Sequence, residues 1–183
     1  LLIEGFVHRF ARPEHIVGLL TGIRGLINSY SSIENTLKRQ INSNDENILA
    51  SLNRFVGSLR HHASHDPGHL VPHPGKGSAC KRLHLYLRWM VRKDDVDPGG
   101  WDLAKSLLMI PLDTHMHHLS VALNMTRRKY NDIKTVIEIT KSFSKISPDD
   151  PVKYDFALTR LGIRKDLSKE LFIKKCKSHC LVE

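Results

Sequence analysis

Residues 78–92 read SACKRLHLYLRWMVR, and the fold is read outward from them. Ala79, Leu83, Tyr86, Leu87 and Met90 recur at spacings of three and four, the period of one apolar helical face. Lys81, His84, Arg88 and Arg92 recur at the same spacing on another face and make a basic stripe. Ser78 is a natural N-cap, because its hydroxyl accepts from a free backbone N–H of the first turn. With Ser78 as the cap, Lys81 falls at the third helical position, where a capping box wants Glu or Gln. The partial positive charge of a helix N-terminus disfavours a cation there. A lysine pushed towards its neutral form is what an amine nucleophile requires, and broken local rules cluster at functional sites. The plainer alternative is a lysine that snorkels to water from a helix end.

Upstream, Pro13 suits a first helical turn. Ile16, Leu19, Leu20, Ile23 and Ile27 then trace a face to about Tyr30, although Gly18, Gly22 and Gly25 weaken that helix. Ser31-x-x-Glu34 reads as a capping box opening a short helix with Ile33, Leu37 and Ile41 inward. Asn44 or Asp45 caps the next, where Ile48, Leu49, Leu52, Phe55, Val56 and Leu59 form the clearest amphipathic pattern. Residues 60–77 hold five histidines, three prolines and three glycines, a loop composition.

Downstream, Asp94 to Gly100 is a turn-rich connector; its acids lack the closing glutamate of an EF-hand. Trp101 to Met109 reads as a short helix. Asp113 caps another, with Met116, Leu119, Val121 and Leu123 behind it. Asn131 or Asp132 opens a helix ending near Phe143, and Ser147-Pro148-Asp149-Asp150-Pro151 is a further start signal. That helix stops at Gly162, and residues 166–178 form a last, lysine-rich helix. No strand and no repeat emerge. The reading is all-α in two lobes, an N-terminal one over 1–60 and a second over 61–183.

The 183 residues suffice for one real core or two small lobes. Lys plus Arg number 28 against 19 Asp plus Glu, a net charge of +9, which points to a polyanionic partner, nucleic acid or an anionic membrane surface. A basic surface kept for solubility is the alternative. No apolar run approaches the ~20 residues that span a bilayer, and no signal-peptide pattern is present. The chain opens on Leu within an apolar run, so a piece of a longer protein, lacking its N-terminal part, is expected. Cys80, Cys176 and Cys180 are an odd count that fits a reduced cytoplasmic location better than a disulfide framework. His61, His62, His65, His69 and His73, and again His115, His117 and His118, raise the question of metal. No cysteine or carboxylate joins them at ligand spacing, so neither metal nor cofactor is expected.

Two segments together, GKGSACKRLHLYLRWMVR and LLMIPLDTHMHHLSVAL, resemble the helix–hairpin–helix DNA glycosylase superfamily. There, the aspartate of an I-P-x-D segment caps a helix facing the substrate sugar, and a lysine lies upstream. In the eukaryotic 8-oxoguanine glycosylases that lysine lies closer to the hairpin, in a register that falls here on Ala79. Lys81 instead stands a whole helix and connector before Asp113, which is similar to the archaeal 8-oxoguanine glycosylase branch. The run SACKRLHLYLRWMVR with PLDTHM and DPVKYDFAL is also similar to a family of mostly bacterial proteins related to that branch. Asp155 and Gly162 match an aspartate and glycine near the base pocket of the archaeal branch. That branch has aromatic residues where Thr159 stands and near Leu85; Tyr86 or Trp89 can substitute here.

The resemblance implies a two-lobed helical bundle of the helix–hairpin–helix glycosylase type. It implies a DNA glycosylase with AP lyase activity on an oxidised purine such as 8-oxoguanine, in which Lys81 forms a Schiff base assisted by Asp113. Leu85, Tyr86, Asp155 and Thr159 would form the base pocket. Gly75, Lys76, Gly77, Arg82, Arg88, Arg92 and His115 would grip DNA, the glycines by letting backbone N–H groups approach a phosphate. The partner would be double-stranded DNA containing a damaged base, bound by a monomer. Asp113 has the alternative of an ordinary N-cap, Asp155 that of a surface acid, and Arg88, beside Trp89, that of a buried structural pair. A non-catalytic nucleic-acid-binding domain retaining the fold is the competing reading of the chain, and an adaptor with incidental charge a third.

Overall fold

The computed structural model describes residues 5–161, 164 and 168–179. Among these the protein is all-α, with eight helices and no strand, only isolated bridges at His8–Ala11 and Lys93–Pro98. No helix among the described residues is long and apolar enough to cross a membrane. The contacts divide the chain into two compact units, Leu1–Ser78 and Ala79–Glu183.

The first unit holds α1 (Pro13–Tyr30), α2 (Ile33–Lys38) and α3 (Leu49–His62). Ser31 ends α1 in the left-handed region at φ 68°. The cap of α2 is therefore Ser32, one residue later than the sequence pattern places it, with its Oγ accepting from the Asn35 N–H at 2.9 Å. α3 likewise starts late. The Asn47 side chain accepts from Leu49 N–H at 3.0 Å, while the expected cap Asp45 instead accepts from Ser51 at 2.7 Å and pairs with Arg54. α1 packs on α3, and its glycines permit the approach. A Cβ on Gly22 would lie 2.8 Å from the Leu59 carbonyl oxygen, and one on Gly18 2.1 Å from that of His65. Leu26, Leu37, Ile48, Leu52, Val56 and Leu59 fill this core. The histidine-rich segment folds onto the same unit. Arg60 donates to the carbonyls of Gly68 at 3.1 Å and Val71 at 2.9 Å and pairs with Asp66. These ties put the unit boundary after Ser78 rather than at 60/61.

The second unit holds α4 (Lys81–Val91), α5 (Thr114–Ala122), α6 (Ile133–Ile146), α7 (Asp155–Leu161) and α8 (Lys169–His179). The connector after α4 turns back on that helix, its Gly99 and Trp101 N–H groups donating to the carbonyls of Trp89 at 2.9 Å and Met90 at 2.8 Å. Gly99 allows the turn with φ 69°, where a Cβ would also strike that of Lys93 at 2.7 Å. The helix expected over 101–109 is absent. One 3-10 turn, Lys105–Leu107, leads into extended chain. Pro111 disfavours helical Ile110, and Leu108, Met109, Ile110 and Leu112 are all buried, which leaves no polar face for a surface helix. The Ile110 N–H is satisfied by Thr140 Oγ1 of α6 at 3.1 Å. Asp132 caps α6, accepting from Thr135 N–H at 2.9 Å, and α6 buries Val136, Ile139 and Phe143. The run 147–151 forms a turn, so α7 begins only at Asp155; the expected stop at Gly162 lies outside the described residues.

Candidate active site

The cap of α4 is Cys80, not Ser78. Cys80 is in the left-handed region at φ 45°, which breaks the helix, and its carbonyl accepts from Leu83 and His84 at 2.9 and 3.1 Å. Lys81 is therefore the first helical residue rather than the third. It remains at the positive end of α4, with its side chain 47% exposed.

Buried chain delivers the carboxylate opposite. Around Pro111 the Leu112 N–H bonds to the Ile110 carbonyl at 2.9 Å, and the next residue, Asp113, caps α5. Its Oδ1 accepts from the Met116 N–H at 2.8 Å, and its Oδ2 lies 3.3 Å from Lys81 Nζ. One oxygen thus fixes the carboxylate on its helix, and the other faces the amine.

Lys81 and Asp113 stand on a cleft of about 760 Å³ that Leu85, Tyr86, Asp155 and Thr159 also line. All four residues expected in a base pocket therefore share one cavity with the lysine–aspartate pair. The packing of α5 on α7 brings the helix capped by Asp113 against the helix that starts at Asp155. Trp89 and Phe156 add exposed aromatic surface to the cleft, and Tyr86 is held edge-on by Trp101 with ring centroids 5.5 Å apart.

Asp155 is buried. Its Oδ2 accepts from Arg88 Nη1 at 2.5 Å, and its Oδ1 has no hydrogen-bond partner among the described residues. Burial pushes its carboxyl up to about 6 against the pull of Arg88, and the charges of Asp113 and Asp97 add to the rise.

Arg88 and Arg92 do not face phosphates. Arg88 donates to Asp97 through Nε at 3.1 Å and Nη2 at 2.7 Å, and its side chain is 4% exposed. Arg92 pairs with Asp97, with Asp150 at 2.9 Å and with Asp94 at 2.8 Å. Burial works against each guanidinium's charge, but the carboxylates outweigh it and hold both pKa values above the ordinary range. The structural alternative raised for Arg88 is the one found, and it extends to Arg92. The expectation for Gly75 and Gly77 is corrected too. The Gly75 N–H is donated to Asn53 at 2.7 Å and to His73 at 3.1 Å, and that of Gly77 to the Pro74 carbonyl at 2.9 Å, so neither is free for a phosphate. Lys76, Arg82 and His115 are exposed.

Sequence reasoning passed over Asp97 and Phe156. Asp97 had a signal: two arginines one helical turn apart, followed by a run of acids, pair readily once the chain turns back. Phe156 had only its place beside Asp155. Among the described residues no group of His, Cys, Asp and Glu is arranged to hold a metal ion.

In comparison with known proteins, the family model described as "Protein of unknown function (DUF2400)" matches residues 2–164. No curated protein matches, and no solved structure does.

Proposed function

The chain belongs to the DUF2400 family, and from the chemistry of its cleft we propose that it is a DNA glycosylase with an AP lyase step, acting on a damaged base in double-stranded DNA. The observation that carries this reading is Lys81 Nζ at 3.3 Å from Asp113 Oδ2 on the wall of a cleft with aromatic surfaces. At about 760 Å³ the cleft falls within the ~300–1,000 Å³ of small-molecule sites, room for a nucleoside turned out of a duplex. The resemblance to the helix–hairpin–helix glycosylases supports the same reading and favours an oxidised purine such as 8-oxoguanine.

The bond between C1′ and the base breaks with its electron pair leaving on the base, and the sugar gains oxocarbenium character. The Asp113 carboxylate, held by its cap bond, stabilises that charge without having to reorganise. The Lys81 ammonium, paired with Asp113 Oδ2, gives one proton to the departing base; the amine so formed attacks C1′, and the next proton it sheds goes to O4′. Opening of the sugar ring gives the Schiff base. Loss of a C2′ proton then expels the 3′ phosphate by β-elimination and nicks the strand. Asp155 borders the cleft with its carboxylate turned to Arg88, and Phe156, Tyr86 and Trp89 offer the base stacking surface.

Borohydride trapping on duplexes each bearing one lesion tests this. A covalent protein–DNA adduct is expected with wild type, none with Lys81→Gln, and a severely slowed one with Asp113→Asn. Undiminished trapping by Lys81→Gln overturns the assignment. Duplex binding with no trapping on any lesion would instead favour a non-catalytic DNA-binding domain.

A further inference from the structure

A second feature of the Ala79–Glu183 unit lies outside the cleft, in the connection between α5 and α6. Its sequence Thr126-Arg127-Arg128-Lys129-Tyr130 alternates between residues tied inward and residues presented outward. Thr126 is buried and donates to Glu138 Oε2 at 2.6 Å. Arg128 donates to Thr135 Oγ1 at 3.0 Å and to the Asp132 carboxylate at 2.5 Å, and its carbonyl accepts from His117 Nε2 at 2.8 Å. The Tyr130 carbonyl accepts from Thr135 Oγ1 at 2.6 Å. Between these anchors Arg127 and Lys129 are exposed, their side chains in no ion pair among the described residues, and the Tyr130 ring is 75% exposed. The α6 helix continues the charge, because Lys134, Lys141 and Lys145 recur at helical spacing on its exposed side. Glu138, the one acid between them, is engaged by Thr126.

We propose that the Arg127–Tyr130 loop and the lysine face of α6 form a binding surface for the phosphate backbone of duplex DNA. Because the loop is anchored through Thr126, Arg128 and the Tyr130 carbonyl, a docking polyanion has only the exposed side chains to order and not the backbone. An anionic membrane is the less suitable occupant. A helix that lies on a bilayer needs a continuous apolar face to insert, whereas α6 spends Val136, Ile139 and Phe143 in the core and exposes only Ile137 and Ile146, set among Lys134, Lys141 and Lys145.

The surface also fits the reading of the cleft as a nucleotide site, on which this step alone rests. Asp113 caps one end of α5 and the loop leaves the other; a nine-residue helix is about 14 Å long. At roughly 3.4 Å per base pair that length equals about four base pairs, so a duplex holding a nucleotide at Asp113 is long enough to reach the loop.

The test is fluorescence anisotropy with a fluorescein-labelled, undamaged DNA duplex across a salt series, so that no chemistry at Lys81 enters. Arg127→Ala combined with Lys129→Ala is expected to weaken binding roughly tenfold and to lower the log–log salt slope by about 2, near one per lost phosphate contact. Lys174→Ala with Lys177→Ala, on the exposed side of α8, removes the same charge and is expected to leave affinity within about twofold of wild type. Thermal melts establish that both variants are folded. Equal weakening by the two pairs, or an unchanged slope in the loop variant, overturns the proposal. So does a loop variant that keeps duplex affinity but loses binding to phosphatidylserine vesicles. Failure of borohydride trapping would sink the glycosylase reading and leave these binding results standing, so the two can fail separately.

Discussion

Helix α4 carries two kinds of ion pair within two turns. At its first residue Lys81 faces Asp113 at 3.3 Å, with the lysine about half exposed beside an open cleft. Seven residues on, Arg88 is enclosed between Asp97 and Asp155, all three nearly or fully buried. The chemistry follows from the surroundings. A guanidinium that makes bidentate contact inside the protein is committed to holding α4, the connector and α7 together. An amine at the rim, with one carboxylate oxygen beside it and the other fixed as a helix cap, stays available to a reactant. The buried set builds the wall on which the exposed pair stands.

The largest effect is therefore expected at Arg88. Arg88→Ala leaves Asp155 buried without its arginine and Asp97 with Arg92 alone, and breaking such a pair costs about 3–5 kcal/mol. Urea unfolding should show that loss in its midpoint. Arg88→Lys should recover only part of it, because an ammonium cannot reproduce the fork on Asp97. A midpoint shift under about 1 kcal/mol would mean that the cluster is not what holds α4 to α7.

Next in size is the pH dependence carried by His84. It is fully buried on α4, neither ring nitrogen has a hydrogen-bond partner among the described residues, and burial drives its pKa from 6.5 down to about 4. The folded state thus refuses a proton that the unfolded chain accepts. Stability is fully present above about pH 6.5 and is lost as the pH falls towards 4, on the order of 3 kcal/mol in all. His84→Leu should lose less stability on acidification than wild type, by about that amount, in urea titrations run at successive pH values; parallel curves for the two proteins would assign the loss elsewhere.

Asp155 works in the opposite sense. Its carboxyl, raised from 3.8 to about 6, takes up a proton more readily folded than unfolded. Its contribution is present at low pH and is lost as the pH rises through about 6. Between pH 6 and 4 it offsets His84. Asp155→Asn cannot titrate, so its stability should fall more steeply with acid than that of wild type, by a margin on the order of 2 kcal/mol. Parallel curves for the two proteins would show that Asp155 does not titrate in that window.

These contrasts also mark what the sequence could disclose. Periodicity located α1, α3, α4 and α6, but not always the buried face: α1 buries Gly18, Gly22 and Leu26 and leaves Leu20 and Ile27 exposed, and α4 buries His84 and Arg88 of its basic stripe beside Leu87 and Val91. Asp113 as a cap, and its meeting with Lys81, rested on local chemistry plus a resemblance between segments, and the cavity shared with Leu85, Tyr86, Asp155 and Thr159 gathers those residues as expected. The fate of Arg88 and Arg92 was less legible, because a basic stripe looks the same whether it faces phosphate or buried acid. Its partners Asp97, Asp150 and Asp155 come from a connector, a turn and the start of α7, and no repeat links them. The start of α4 was misplaced by two residues because a left-handed cysteine carries no sequence signal. The absent helix over 101–109 shows burial overriding a plausible local pattern.

The smallest effect on stability is expected where the effect on chemistry is greatest. An exposed lysine–carboxylate pair contributes about 0–1 kcal/mol, so Lys81→Gln should unfold in urea within roughly 0.5 kcal/mol of wild type. Asp113→Asn keeps an oxygen for the Met116 N–H and should be equally mild, whereas Asp113→Ala also loses the cap and should cost roughly 0.5–2 kcal/mol. The same three variants separate structure from reactivity, because Lys81→Gln and Asp113→Asn would alter trapping while remaining folded. If Lys81→Gln instead destabilised the protein as Arg88→Ala is expected to, the rim pair would be a structural bridge like its neighbour, and its place on the cleft would no longer argue for an amine kept free to react.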